Sequence, residues 1–124
     1  MLIDSNIIIY AAQPVNTALR ELIARHAPAV SAVSYVEVLG YHRLTKQERQ
    51  HFEAFFAAAS VLPLSHDVVE QAVKLRQLRK MTLGDALIAG TALVHGLTLV
   101  TRNADDFKWI AGLTLINPFA PQPE

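Results

Sequence analysis

One recurring pattern limits the folds open to this chain more than any other. A short apolar run leads through small polar residues into a helical stretch that carries an acid. Met1-Leu2-Ile3 ends in Asp4-Ser5-Asn6. Val30-Ser31-Ala32-Val33-Ser34 leads to Glu37. Thr82 opens a stretch carrying Asp85. Leu97-Thr98-Leu99-Val100-Thr101 runs into Arg102-Asn103-Ala104-Asp105-Asp106. A short apolar run alone reads equally as a strand or a piece of buried helix. Its recurrence between helical segments argues for a parallel sheet covered on both faces. Three of the four acids then follow closely on a strand, at the edge where open α/β sheets bind ligands.

The intervening segments have helical periodicity. Ile7 to Ala12 reads as a short helix or turn stopped by Pro14. Val15, Leu19, Leu22, Ile23 and Ala27 mark a second helix, ended by Pro28. A strand is expected over Ala29–Val33. Ser34 and Glu37 have capping-box spacing, predicting a helix from there to Gly40 or His42. Thr45 and Glu48 repeat the box before a helix with Phe52, Phe55, Phe56 and Ala59 on one face. Ser60–Leu64 is a third strand, and Pro63 argues for a strand end or an edge position. Ser65 can cap the next helix, with Asp67 in its first turn. That helix ends in the basic group Arg76, Arg79 and Lys80. Thr82 and Asp85 form a third box, and the Ala-rich run that follows suggests a helix packed closely on the sheet. Gly90 inside it points to a close backbone approach, and Gly96 is a natural stop. A fourth strand over 97–101, a helix over Asn103–Ala111, a last strand over Leu113–Ile116 and a proline-rich tail from Asn117 to Glu124 complete a single domain over residues 1–124.

Composition narrows the function. With eleven basic and eleven acidic residues the net charge is zero, so nucleic acid would need a local basic patch. At 52% hydrophobic and 18% charged residues in 124, the chain can bury one core. The absence of cysteine excludes disulfides and thiolate metal sites. The first residues lack a basic n-region and Asp4 interrupts their apolar run, so no signal peptide is expected. No run reaches the ~18–20 apolar residues of a membrane span. A soluble cytoplasmic protein is the expectation.

Each acid has an ordinary structural explanation. Glu37, Asp85 and Asp106 stand three residues after a capping type of residue, and Asp4 could cap the helix after the first strand. A helix N-terminus favours a carboxylate by roughly 0.3–1 kcal/mol with no chemistry involved. Brought together, however, two unit charges ~4 Å apart repel by about 4 kcal/mol at an effective dielectric near 20. Such a cluster either holds protons or binds a hard divalent cation, and oxygen ligands suit Mg²⁺ or Mn²⁺. No Ser-His-Asp set or cysteine nucleophile is visible. Histidines 26, 42, 51, 66 and 95 are scattered without ligand spacing.

Leu-Ile-Asp-Ser-Asn at the start, Ser34-x-x-Glu37, Gly84-Asp85-Ala86-Leu87-Ile88-Ala89 and Thr101-Arg102-Asn103-Ala104-Asp105-Asp106-Phe107 together resemble the PIN-domain ribonucleases. Among these the VapC-type toxins of prokaryotic toxin–antitoxin pairs are most similar. The four motifs stand in the family's order over nearly the whole chain. The resemblance implies a three-layer α/β/α sandwich and a metal-dependent endoribonuclease. It places Asp4, Glu37 and Asp85 on the acids that hold Mg²⁺ or Mn²⁺. It makes Asp106 the fourth acid in preference to Asp105, with Asn103 orienting a ligand or water. Ser5, Asn6 and Thr101 fall on small polar positions lining the site. A cognate antitoxin, an RNA substrate and a homodimer are the implied partners.

Arg79, Lys80 and Arg102 could neutralise RNA phosphates, as could Lys108 and Arg76, the last equally a solvated helix face. The phenylalanine stripe reads as core, with part of it available to a partner. The competing reading is a PIN-like module that binds RNA or protein without cleavage, against which the presence of all three principal acids argues. Haloacid-type phosphatases place a second Asp where this chain has Asn6, and receiver domains pair acids where Asp4 stands alone.

Overall fold

The computed structural model describes residues 1–119. Five parallel strands, β1 (Leu2–Ile3), β2 (Ala29–Ser31), β3 (Ser60–Leu62), β4 (Leu99–Val100) and β5 (Leu115–Ile116), form one sheet in the order β3-β2-β1-β4-β5. The helices are α1 (Ser5–Ala11), α2 (Thr17–His26), α3 (Ala32–Leu39), α4 (Lys46–Ala58), α5 (His66–Leu78) and α6 (Leu83–His95). Successive strand residues face opposite ways, and the core divides accordingly. Ile3, Val30 and Val100 pack with Ile7 and Ile8 of α1, Leu19 of α2, Val38 of α3, and Phe52 and Phe56 of α4. Leu2 and Leu99 pack on the other face with Leu75 of α5, Ile88 and Ala92 of α6, and Phe107 and Ile110. The result is a three-layer α/β/α sandwich. From β1 the chain builds outward through β2 and β3, then returns to lay β4 and β5 on the other side. The order reverses between β1 and β4, the position at which such sheets open a ligand crevice.

Most helix signals read from the sequence hold. Thr45 and Glu48 form a complete capping box, Ser65 accepts from Val68 N, and Gly96 ends α6 in the left-handed conformation. Pro63 follows β3, an edge strand. Phe52 and Phe56 are buried, so the aromatic stripe is core.

Two expectations are corrected. The helix bearing Glu37 starts at Ala32, because Ser31, not Ser34, ends the strand extended and accepts from Val33 N. Residues 103–111 form a single 3₁₀ turn, Ala104–Asp106, followed by further turns. Asp106 N and Phe107 N bond three residues back, to Asn103 O and Ala104 O, and these tight turns let both Phe107 and Ile110 reach the core. The close backbone approach expected at Gly90 is present, and it is to α5: a Cβ there would lie 3.0 Å from Val68 O.

The segment read as a tail begins packed, with Asn117 Nδ2 donating to Arg102 O and Phe119 against Tyr10. Its last part, 120–124, lies outside the described residues. Among the described residues no helix is long and apolar enough to cross a membrane.

Candidate active site

Asp4 directly follows β1, and Thr101 directly follows β4, so the two meet at the point where the strand order reverses. Thr101 Oγ1 donates to Asp4 Oδ2 at 2.9 Å and accepts from Asn103 N at 3.1 Å. Asp4 stands at the N-cap position of α1 but makes no side-chain cap bond. Its carboxylate therefore serves the cleft, held by a hydroxyl from the neighbouring strand.

Glu37 reaches the same edge from the middle of α3. Ser5, at the start of α1, has one hydroxyl proton and two oxygen neighbours, Glu37 Oε1 at 2.7 Å and Ser34 Oγ at 2.8 Å. A carboxylate only accepts, so Ser5 donates to Glu37 and receives the Ser34 proton. Glu37's other oxygen lies against the backbone of Gly84, where a Cβ would come within 2.7 Å. Glu37 is thus positioned from two elements and plays no part in a helix cap.

Asp85 lies in the first turn of α6, half-buried, its backbone N–H taken by Thr82 Oγ1 at 3.1 Å. That is the Thr82 half of a capping box, made with the backbone N–H of residue 85 and not with the Asp85 carboxylate.

Electrostatics tie the acids together. Asp4's carboxyl is held above its ordinary range, first by burial and then by the charges of Asp85 and Glu37, against the lowering bonds from the Thr101 hydroxyl and the Ser5 backbone N–H. Asp85 is also raised, by burial and then by the charges of Asp106 and Glu37, against Thr82. Each of the four acids takes part in at least one of these repulsions. Among the described residues none of them has a lysine or arginine in ion-pair contact. Asp105 does: it points away to Lys108 Nζ at 3.2 Å. Asp106 is thereby the acid of that pair coupled to the cluster.

The remaining residues divide. Asn103 contributes its backbone N–H, and its side chain makes no cap bond. Asn6 is exposed on α1. Arg79 stands over the Trp109 ring, 5.6 Å from its centroid, and Trp109 Nε1 donates to Asp106 O. Lys80 is exposed. Arg102 lies against Tyr10 and Phe119. All five histidines are exposed. Ser34, read from the sequence as a helix cap, and Gly84, given no role of its own, are the neighbours of Glu37 that sequence reasoning did not place in the site. Their signal was present: Ser34 and Glu37 share a helix face at three-residue spacing, and a glycine beside Asp85 allows close approach.

The PIN domain family model matches residues 1–113. The chain belongs to the PIN-domain family. PIN domains are generally nucleases, and Asp4 lies at the edge where this PIN domain's sheet opens. No curated protein sequence matches the chain. Among solved structures, a toxin–antitoxin complex from Klebsiella pneumoniae is similar at 29% identity, with TM-score 0.77 over 95% of this PIN domain and 97% of that chain. VapBC2 from Rickettsia felis, bound to a DNA fragment from its promoter, aligns with TM-score 0.80 at 24% identity over 94% and 96%. DNA-bound VapBC from Salmonella typhimurium gives 0.80 at 20% over 93% and 95%. The last two establish the shared fold.

The donor set fits a hard divalent cation. It consists of carboxylate oxygens, it lacks an ion-paired cation among the described residues, and burial followed by neighbouring acid charge raises the carboxyls of Asp4 and Asp85. Among the described residues no three of these side chains already stand together at ligating separation.

Proposed function

We propose that this chain is a metal-dependent endoribonuclease and the toxin of a toxin–antitoxin pair, acting in the cytoplasm. The observation that supports the reading is Asp4 at the sheet's switch point, held by Thr101 across β1 and β4, its carboxyl raised by burial and then by the charges of Asp85 and Glu37, with no ion-paired cation among the described residues. In this reading the four carboxylates hold Mg²⁺ or Mn²⁺, which when bound activates water and stabilises the leaving oxygen of a phosphodiester. The chain's own residues set the geometry. Thr101 and Ser5 fix the Asp4 and Glu37 carboxylates, leaving their remaining lone pairs for the ion. Asn103, Asn6 and the Thr101 hydroxyl line the approach. Arg79, Lys80 and Arg102 bind backbone phosphates and supply locally the attraction that a net charge of zero denies the molecule as a whole.

An antitoxin partner is supported by the similarity to toxin–antitoxin complexes. A groove of about 670 Å³ also supports it. Ile9, Val38, Tyr41 and Phe52 line this groove, and Glu37 and Glu48 border it. An apolar segment carrying a cation complements that surface. Exposed Val69, Val73, Leu78 and Leu83 on α5 and α6 support a homodimer, and light scattering showing a monomer at working concentration would remove that part.

The test is cleavage of RNA by the purified protein. Cleavage should require Mg²⁺ or Mn²⁺, stop in excess EDTA and be lost in Asp4→Asn. Undiminished cleavage in EDTA would overturn the reading. Expression alone should arrest growth, and harmless accumulation of folded protein would count against the toxin role.

A further inference from the structure

We propose that Tyr10 and Phe119 are positioning residues that hold the Arg102 guanidinium ready to grip a backbone phosphate of the RNA strand beside the acid cluster. The inference rests on the ribonuclease reading above. Arg102 directly follows Thr101, the residue that holds Asp4, so its backbone lies at the acid edge of the sheet. Its side chain is exposed, and among the described residues it has no carboxylate in ion-pair contact. Its partners are aromatic. The guanidinium carbon is 5.0 Å from the Tyr10 ring centroid and 4.6 Å from that of Phe119. The two rings meet edge to face, centroids 5.5 Å apart and planes at 72°, and so form an inside corner.

Both walls of the corner are fastened. Tyr10 lies four residues after Asn6, on the same face of α1, which begins at the site. Phe119 is held through Asn117: Asn117 Nδ2 donates to Arg102 O at 3.2 Å, and Phe119 N donates to Asn117 Oδ1 at 2.9 Å. The segment after β5 therefore folds back onto the residue it helps to place.

The chemistry favours a phosphate. The rings hold the guanidinium without using its N–H groups, which make no hydrogen bond among the described residues, and those N–H groups match phosphate oxygens in pairs. A long side chain that is already packed loses less rotamer freedom when it binds. The need is specific to this site, because a polyanion must approach four carboxylates. A second arginine, Arg79, is likewise stacked, over Trp109 at the Asp106 end of the cluster. An RNA strand crossing the acids from Arg102 to Arg79 meets a pre-placed cation at each end.

The experiment measures binding of a short labelled single-stranded RNA by fluorescence anisotropy across a salt series. The protein carries Asp4→Asn throughout, so that chemistry does not intervene. Arg102→Gln should lower the slope of log affinity against log salt by about 0.7, one single-strand phosphate contact. Phe119→Leu should weaken binding by about two- to fivefold, the size of an exposed cation–π contact, and Phe119→Tyr should restore it. With Arg102→Gln already present, Phe119→Leu should cost nothing further. Additive losses, or loss in Phe119→Tyr as large as in Phe119→Leu, would overturn the positioning role. An unchanged slope in Arg102→Gln would overturn the phosphate contact. If the parent cleaves RNA while these variants bind as it does, this inference alone fails. If the parent neither binds nor cleaves RNA, the ribonuclease reading fails with it.

Discussion

Asp4 shows at the scale of one residue how stability and function diverge. Its carboxyl is held above its ordinary value near 3.8 by burial first and by two neighbouring charges after that. A carboxyl raised in this way binds its proton more tightly in the folded chain than in the unfolded one. Its contribution to stability is fully present below the unfolded value and is lost as pH rises through the folded value. Asp4→Asn removes that loss and keeps an acceptor for Thr101 Oγ1. In EDTA the variant should melt higher than the parent at neutral pH, and the gap should close as pH falls toward 4. Melting curves over pH check this; a variant less stable than the parent at pH 7 would show that the charge supports the fold. Gly84 offers a second separation. Alanine there gains helix propensity, up to about 1 kcal/mol, yet its Cβ meets the Glu37 carboxylate, the movable end of a side chain. Gly84→Ala should keep or raise the melting temperature while RNA cleavage falls by about tenfold to a hundredfold, the cost of misplacing a catalytic group by an ångström. Full activity would remove Glu37's fixed position from the mechanism.

Among the elements, helix starts decide where the acids stand. Asp85 occupies the first turn of α6, behind Thr82 as cap. Glu37 lies deeper in α3, because Ser31 starts that helix earlier than Ser34 would, and so it reaches the edge with Ser34 beneath it. The α4 box is different. Thr45 and Glu48 satisfy each other's backbone N–H groups, the Thr45 bonds hold the exposed Glu48 carboxyl below its ordinary range, and no site residue is involved. Thr45→Ala should therefore destabilise the protein by about 0.5–2 kcal/mol. For a chain of this size each kcal/mol is about 3–6 °C of melting temperature. Cleavage by the folded protein at moderate temperature should be unchanged. A drop in cleavage without a drop in stability would tie the α4 start to the site.

At the scale of the whole molecule, the sheet order gathers one acid charge from each of several distant stretches, and metal binding should be linked to folding. An ion that binds only the folded chain at a hundred times its dissociation constant adds about 2.7 kcal/mol. Mg²⁺ should accordingly raise the parent's melting temperature by several degrees and that of Asp85→Asn much less. In EDTA, Asp85→Asn sets relief of repulsion against loss of a first-turn charge that favours the helix by roughly 0.3–1 kcal/mol. Burial and two repelling neighbours together exceed the Thr82 contribution, so the variant should be at least as stable as the parent. A variant that is destabilised in EDTA and gains equally from Mg²⁺ would make Asp85 a helix cap alone.

Much of this was legible in the residues themselves, for local reasons. Thr45, Ser65 and Thr82 announce helix starts through hydrogen bonds that span three residues, Gly96 a stop through its backbone freedom, and Pro63 an edge through its missing donor. Asp4, Glu37, Asp85 and Asp106 stood out as candidates because the four motifs come in the order of the family they resemble. What the sequence could not decide were contacts between residues far apart in the chain. Ser31 rather than Ser34 starts α3 because Ser34 turns inward to Ser5, twenty-nine positions away. Gly90 answers to α5, and Gly84 to the Glu37 carboxylate. The stretch after Asn103 had a helical pattern, but tight turns bring both Phe107 and Ile110 into the core. Hydrogen bonds three residues apart are written in local sequence. The meeting of Thr101 with Asp4, across ninety-seven positions, exists only once β1 and β4 pair.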